Sequence, residues 1–313
     1  MSSSSVNSVK LQSNDWPVLL ERKNPIKNAK TVWRIGSRFV VPAVGIFSKI
    51  WTDFMNKSNI YNHHVFLETL SKHYNTAKNK KKPLITISNH SSCMDDPLIW
   101  GSLIPFKWHL NSNRLRWSAA AQEICFSKGW HSAFFSLGRT FPIVRGKGIY
   151  QPAMDYATEL LKEGSWIHFF PQGKVVVKPE KQLSNCDQTV KYSNDKKSYE
   201  LKWGVARLII DHVFGENNSN EIDILPFYHI GMETVLPSKK PYIPRINQTI
   251  TYYIRDEGPI HINKQFLLDL INDFNHSSSK TKRIKLMQFI ENEMNLLKEK
   301  CLSCHNVVNT ITN

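Results

Sequence analysis

The sequence predicts a single α/β domain whose central sheet is mixed, largely parallel and flanked by helices. Short apolar runs rich in β-branched residues, such as Leu84 to Ile87, alternate with amphipathic helical stretches, such as Asn62 to Tyr74. The runs end in polar or glycine-containing turns, and that alternation packs as a sheet with helices on its faces. Of 313 residues, 41% are hydrophobic and 21% charged. This fits a globular chain with one large core or two modest ones and excludes a disordered chain.

Met1 to Lys30 is polar and Ser-rich, with no apolar stretch of secretory type, and reads as a flexible arm, residues 1–30. Residues 31–58 contain WRIGSRFVVPAVGIFSKIW, whose unbroken apolar core runs only from Phe39 to Phe47. A bilayer span needs about 20 residues. Trp33 and Trp51 flank the core, with Arg34, Arg38 and Lys49 around it. That suits a segment lying in a membrane interface; a buried helix kinked at Pro42 is the alternative. The main domain is expected over 59–300, with a tail over 301–313.

Within that domain the helix at Asn62 to Tyr74 is followed by a loop at Lys78 to Lys82 and the strand Leu84 to Ile87. Leu98 to Trp108 is a second apolar stretch, with two Trp and one Lys. Strands are expected at Leu115 to Ala121, Thr140 to Val144 and Trp166 to Phe170, with a helix at Gln151 to Lys162 stopped by Gly164. Residues 177–200 are rich in Lys, Asn, Ser and Asp and read as an exposed loop. A helix over Leu201 to Phe214, strands at Ile222 to Tyr228 and Thr249 to Ile254, and helices at Lys264 to Asp273 and Thr281 to Lys300 complete the reading.

The net charge of +15 favours anionic partners. No base-stacking motif accompanies the basic residues, and many lie in loops, so no nucleic acid is expected. The five cysteines, Cys93, Cys125, Cys186, Cys301 and Cys304, form no disulfide framework and are expected as thiols. Cys301-Leu-Ser-Cys304-His305 has haem-attachment spacing, but no Met follows it and no haem is expected.

The stretch that organises the chain is PLITISNHSSCMDDPLIW, Pro83 to Trp100. Asn89 and His90 leave the end of a strand. Asp96 reads as a helix N-cap and Pro97 as its first residue. On a regular helix i and i+5 point about 140° apart, so His90 and Asp95 meet only if the turn between them is not helical. Asp95 could then accept from one imidazole nitrogen and leave the other free to take a proton. With no Ser nucleophile in the pattern, the substrate must bring its own hydroxyl, which suggests acyl transfer to an alcohol. The same spacing also fits a loop histidine beside a second capping Asp. Three more turns follow strands: Arg145 and Lys147 between glycines, Gly173-Lys174 after a Pro, and Pro226 to Gly231. Arg and Gly together suit an anion.

In this order the four segments resemble the glycerolipid acyltransferases with the NHxxxxD motif. Asn89-His90-Ser-Ser-Cys-Met-Asp95 is similar to their first motif and Phe141-Pro-Ile-Val-Arg145-Gly to the second. Phe170-Pro-Gln172-Gly173-Lys174 resembles the third, and Leu225-Pro226-Phe-Tyr-His-Ile-Gly231 the fourth. The likeness is greatest to the family's mitochondrial transacylases, which move acyl chains between phospholipids and lysophospholipids and remodel cardiolipin. The resemblance implies that His90 is the general base and Asp95 orients it. It implies that Arg145 holds a head-group phosphate, that Gln172, Gly173 and Lys174 line that site, and that Pro226 shapes the acyl-side wall. It implies no cofactor, neither acyl-CoA nor metal, and a protein peripheral to or monotopic in mitochondrial membranes, facing the intermembrane space. An acyl-CoA-dependent lysophospholipid acyltransferase and a non-catalytic lipid-binding protein remain the alternatives. The family's third motif has Glu where this chain has Gln172, and residues 177–200 exceed its usual connection.

Overall fold

The computed structural model describes residues 29–75, 82–176, 201–216, 219–237 and 243–312. The expected N-terminal arm and the Lys-rich loop before Leu84, save for their last positions, and the whole 177–200 loop with Cys186 lie outside the described residues.

The strands are β1 (Lys57–Tyr61), β2 (Leu84–Ile87), β3 (Trp117–Ala121), β4 (Thr140–Ile143), β5 (Trp166–Phe169), β6 (Glu221–Ile230), β7 (Thr249–Ile254) and β8 (Ile260–Asn263). They form one sheet in the order β1-β7-β6-β2-β5-β3-β4, with β8 beside β6. β6 runs antiparallel to β7 and β8, and the other pairs are parallel. In register, Ile87 of β2 faces Phe169 of β5 on one side and Pro226 of β6 on the other. The carboxyl ends of β2, β3, β4, β5 and β6 therefore share one edge, where open α/β sheets place their sites.

The central strands are buried on both faces, which is why they read as continuous apolar runs. Ile85, Ile87, Ile167 and Phe169 join one core with helices Pro152–Lys162, Gly204–Phe214 and Ser279–Thr312. Leu84, Trp166, Leu225 and Phe227 join the other, under helices His63–Asn75 and Asp95–Leu103.

Several expectations need correcting. β1 and β8 went unread, because each is short and carries polar residues that only a neighbouring strand recruits. The C-terminal helix does not stop at Lys300 but runs from Ser279 to Thr312, so 301–313 is not a separate tail. Cys301 is buried against the carbonyls of Tyr228 and Thr251, and His305 Nδ1 lies 2.9 Å from Thr251 Oγ1. Those contacts hold the haem-like pattern against β6 and β7. Asp96 is not the N-cap: the helix opens at Asp95 behind Met94, so Pro97 is its third residue.

Helix Ala29–Lys49, extended by a π-helical turn at Ile50–Phe54, covers residues 31–58 up to β1. Its inward face is small or polar: Ser37, Gly45, Ser48 and Thr52 are buried beside Trp33 and Val41. Trp33 stacks on Trp117, centroids 5.5 Å apart, and its Nε1 donates to Ser136 O at 3.1 Å. The outward face carries Val32, Ile35, Phe39, Ile46, Phe47, Ile50 and Phe54, with Phe39 72% and Phe54 81% exposed. This is the reverse of a soluble helix's polarity. Among the described residues no helix is long and apolar enough to cross a membrane.

Candidate active site

β2 delivers His90, and the turn after it is tied down at both ends. Asn89 clasps β6: its Nδ2 donates to His229 O and its Oδ1 accepts from His229 N, both at 2.9 Å. Asp95 closes the turn from the helix side. Its Oδ2 accepts from Ser91 N at 2.6 Å and from Ser92 N at 2.9 Å. The backbone is therefore folded tightly over 90–95, and His90 Nδ1 lies 2.8 Å from the same oxygen. A carboxylate only accepts, so Nδ1 carries the hydrogen and Nε2 is left with its lone pair. The sequence-predicted dyad is formed.

The environment suits a base. Asp95 is fully buried, while the His90 side chain is 18% exposed. The ring stacks on Phe170 with centroids 4.3 Å apart, and among the described residues no Ser or Cys side chain bonds to Nε2. Below it, His168 sits between Thr86 Oγ1 at 2.9 Å and Ser88 Oγ at 3.3 Å. Burial holds His168 down at about 3, so this ring stays neutral.

The third motif is strapped to the first. Gln172 Oε1 accepts from His90 N at 2.6 Å, and Val176 N donates to His90 O at 2.8 Å. Gly173 has φ +70°, and a Cβ there would meet the Lys202 side chain at 3.2 Å. The positive φ is what favours glycine there, since the Lys202 side chain can shift aside. Lys174 is exposed and makes no hydrogen bond or ion pair with the described residues.

Arg145 leaves β4 at the same edge. Its Nη1 is 3.0 Å from Glu123 Oε1, both side chains about half exposed. Such a pair is worth about 0–1 kcal/mol, so a phosphate can take the guanidinium from it. Burial pushes the Cys125 thiol up to about 11, with Asp96 and Cys93 adding to the shift and Arg145 opposing it. Arg145 thus shares its surroundings with the first motif. Gln151 shapes this loop, accepting from Val144 N at 2.8 Å and donating to Gly148 O at 2.7 Å.

Pro226, which the resemblance assigns to the acyl-side wall, does not reach the surface. It is buried within β6, where that strand passes from β8, last paired at Ile224, to β7, first paired at Phe227. A residue without an N–H fits that gap. The fourth-motif residue that reaches the turn is His229, which sequence reasoning left without a role. Asp96 was also misread. It accepts from Trp100 Nε1 at 3.0 Å and Ser118 Oγ at 2.8 Å, and pairs with Arg116, tying the first-motif helix to β3. Among the described residues no group of three or more His, Cys, Asp or Glu is placed to hold a metal ion.

The acyltransferase family profile matches residues 56–230, more than half of the chain, a span that takes in the dyad, the first three motifs and the fourth up to Ile230. The chain belongs to the acyltransferase family. Among its relatives, Tafazzin of Drosophila melanogaster is 39% identical over 246 residues, 78% of this chain and 56% of that protein. The chain thus spans little more than half of that relative's length. Taffazin of Dictyostelium discoideum is 32% identical over 220 residues, 70% of this chain and 68% of that one. N-acylphosphatidylethanolamine synthase of Arabidopsis thaliana is 31% identical over 254 residues, 79% and 78% of the two chains. This acyltransferase is thus similar to tafazzins and to an N-acylphosphatidylethanolamine synthase, and its His90 and Asp95 lie in bonding geometry.

Proposed function

We propose that this acyltransferase is a transacylase that moves a fatty acyl chain between a phospholipid and a lysophospholipid, with a role in cardiolipin remodelling. The observation that carries the reading is the His90–Asp95 bond, which leaves Nε2 basic, accessible and without a protein nucleophile. His90 takes the proton of a lysophospholipid hydroxyl as its oxygen attacks the donor ester carbonyl. The same proton then goes to the departing lysophospholipid oxygen, so the acyl chain changes hosts with no net consumption. Base catalysis of this kind is worth about 10²–10⁴-fold. Arg145 and Lys174 supply positive charge for the head-group phosphates. No acyl-CoA and no cofactor enter the scheme.

Membrane attachment is part of the proposal. The apolar outward face of helix Ala29–Lys49, with exposed Arg34 and Arg38, suits shallow burial among anionic head groups. Phe106, Leu110, Trp130 and Phe134, on segments packed against that helix, extend the exposed apolar surface. The motifs' resemblance to the mitochondrial transacylases supports placing the protein on mitochondrial membranes, facing the intermembrane space.

The test is acyl transfer in vesicles of labelled phosphatidylcholine and monolysocardiolipin, with and without acyl-CoA. Transfer without acyl-CoA, lost in His90→Ala, is expected; a strict need for acyl-CoA would favour an acyl-CoA-dependent enzyme. The similarity to the Arabidopsis synthase favours a second reading, acylation of the phosphatidylethanolamine amine, which that lipid as acceptor would reveal.

A further inference from the structure

We infer that His229 is a positioning residue for the dyad, a second imidazole that bonds the turn through Asn89 O, lies beside Asp95 from β6 and keeps its carboxylate on His90. The inference rests on the proposed reading for its catalytic meaning, but its geometry stands alone. The His229 side chain is fully buried, with Nε2 3.0 Å from Asn89 O and 3.7 Å from Asp95 Oδ2. A carbonyl only accepts, so Nε2 carries the hydrogen. Nδ1 is buried with no partner. A proton there would be a buried, unsatisfied donor, so the neutral Nε2–H form is the one the site accommodates.

This tautomer is tied into its surroundings. Ser88 Oγ donates to Asn89 O at 3.1 Å, so that carbonyl gathers donors from both Ser88 and His229. The backbone of His229 is locked by the Asn89 side chain on both its N–H and its C=O. Asp95 itself is lopsided. Oδ2 has three donors within hydrogen-bond distance, from His90, Ser91 and Ser92, whereas Oδ1 is buried with none. Among the described residues no donor holds the carboxylate from the Oδ1 side. His229 Nε2, bonded to Asn89 O, lies 3.7 Å from Oδ2, and the positive end of that imidazole favours the orientation that keeps this oxygen on His90 Nδ1. The titratable groups around it are His90 and Asp95 on the turn, His168 on β5, and Tyr252 on β7, whose hydroxyl is 3.0 Å from Ser102 Oγ.

The experiment compares the wild type with His229→Met and His229→Gln. Met keeps the bulk but has no donor, whereas the Gln amide can place an N–H near the Nε2 position. Melting temperature and circular dichroism check that each variant is folded. The first readout needs no turnover: nitrogen-15 NMR of the histidine rings across pH. In the wild type, the neutral His229 ring should show the Nε2–H tautomer. In His229→Met, His90 should give up its proton at lower pH, because a carboxylate free to turn away from Nδ1 stabilises the imidazolium less. His229→Gln should return the midpoint toward wild type. The second readout is acyl transfer, where His229→Met should lose at least tenfold in kcat with KM for the lysophospholipid unchanged. An unchanged His90 midpoint in folded His229→Met overturns the inference whether or not the chain proves a transacylase. So does a Gln variant indistinguishable from Met. Absence of acyl transfer in the wild type overturns the functional reading alone.

Discussion

The backbone N–H of His90 is held by the side-chain oxygen of Gln172 at 2.6 Å. The residue that departs from the family's third motif thus keeps an acceptor where a Glu would have one, so the turn survives the exchange. Gln172→Glu should retain the bond and gain charge assistance. We expect a melting temperature equal to or above wild type, and activity that declines at higher pH on the acid side, since a new anion beside His90 favours its protonated form. Gln172→Leu leaves the N–H without a partner and should cost about 1–3 kcal/mol. Urea denaturation of the two variants beside wild type decides the point.

His90→Ala should fold, because Asn89, Gln172 and Asp95 hold the backbone of the turn without the ring, and should lose about 10²–10⁴-fold in acyl transfer. Asp95→Asn should lose activity to a similar degree and stability as well. An Asn oxygen can take the Oδ2 position and accept the same bonds without the charge, but its NH2 then stands as a buried donor where Oδ1 has no partner. Equal melting temperatures for wild type and Asp95→Asn would contradict this account of the turn.

Stability should fall in mild acid. Burial holds His168 at about 3 and His109 at about 4, against 6.5 for a free imidazole. Both values are lowered on folding, so the unfolded chain takes up protons first as pH drops. The neutral rings are tolerated without penalty above about pH 6.5. Below it each costs up to about 1.4 kcal/mol per pH unit until its folded value is reached. Urea midpoints should be flat from pH 8 to 7 and decline from 6.5 to 4, less steeply in His109→Gln.

The crossing of the N-terminal helix over the body should tolerate no added carbon. A Cβ on Gly101 would sit 2.5 Å from the backbone of Ser48, and one on Gly45 would sit 2.3 Å from the His109 ring. Backbone cannot swing aside as a side chain can. Gly101→Ala is therefore expected to cost about 1–3 kcal/mol, read as a lower thermal midpoint.

The outward face of that helix should matter to membranes and not to folding. Phe39 and Phe47 are exposed, so Phe39→Asp with Phe47→Asp should leave the melting temperature within a degree or two. Each lost phenyl removes about 1.5–3 kcal/mol of burial in lipid, and binding to anionic vesicles should fall at least tenfold in flotation assays. Undiminished flotation would move the membrane contact elsewhere.

Much of this was legible in the residues. Leu84–Ile87 and Trp166–Phe169 are apolar on both faces because they are buried on both faces, so composition alone marked them as central strands. β1, with Lys57, Ser58 and Asn59, carries no such mark. It is a strand because β7 offers it a parallel ladder, and no local signal encodes a partner nearly 200 positions away. Asp96 was assigned to capping because Asp before Pro often caps. Its true partners, Arg116 and Ser118, lie on another element.

Read by itself, the chain specified an α/β sheet, a histidine and carboxylate in one turn, and cationic loops after neighbouring strands, because periodicity and motif spacing are local properties. Folding alone determined that Asn89 and His229, 140 positions apart, clasp each other, and that the N-terminal helix turns its apolar side outward. Hydrogen-bond partners and buried faces are set by what the rest of the chain brings alongside, and that depends on which strands pair.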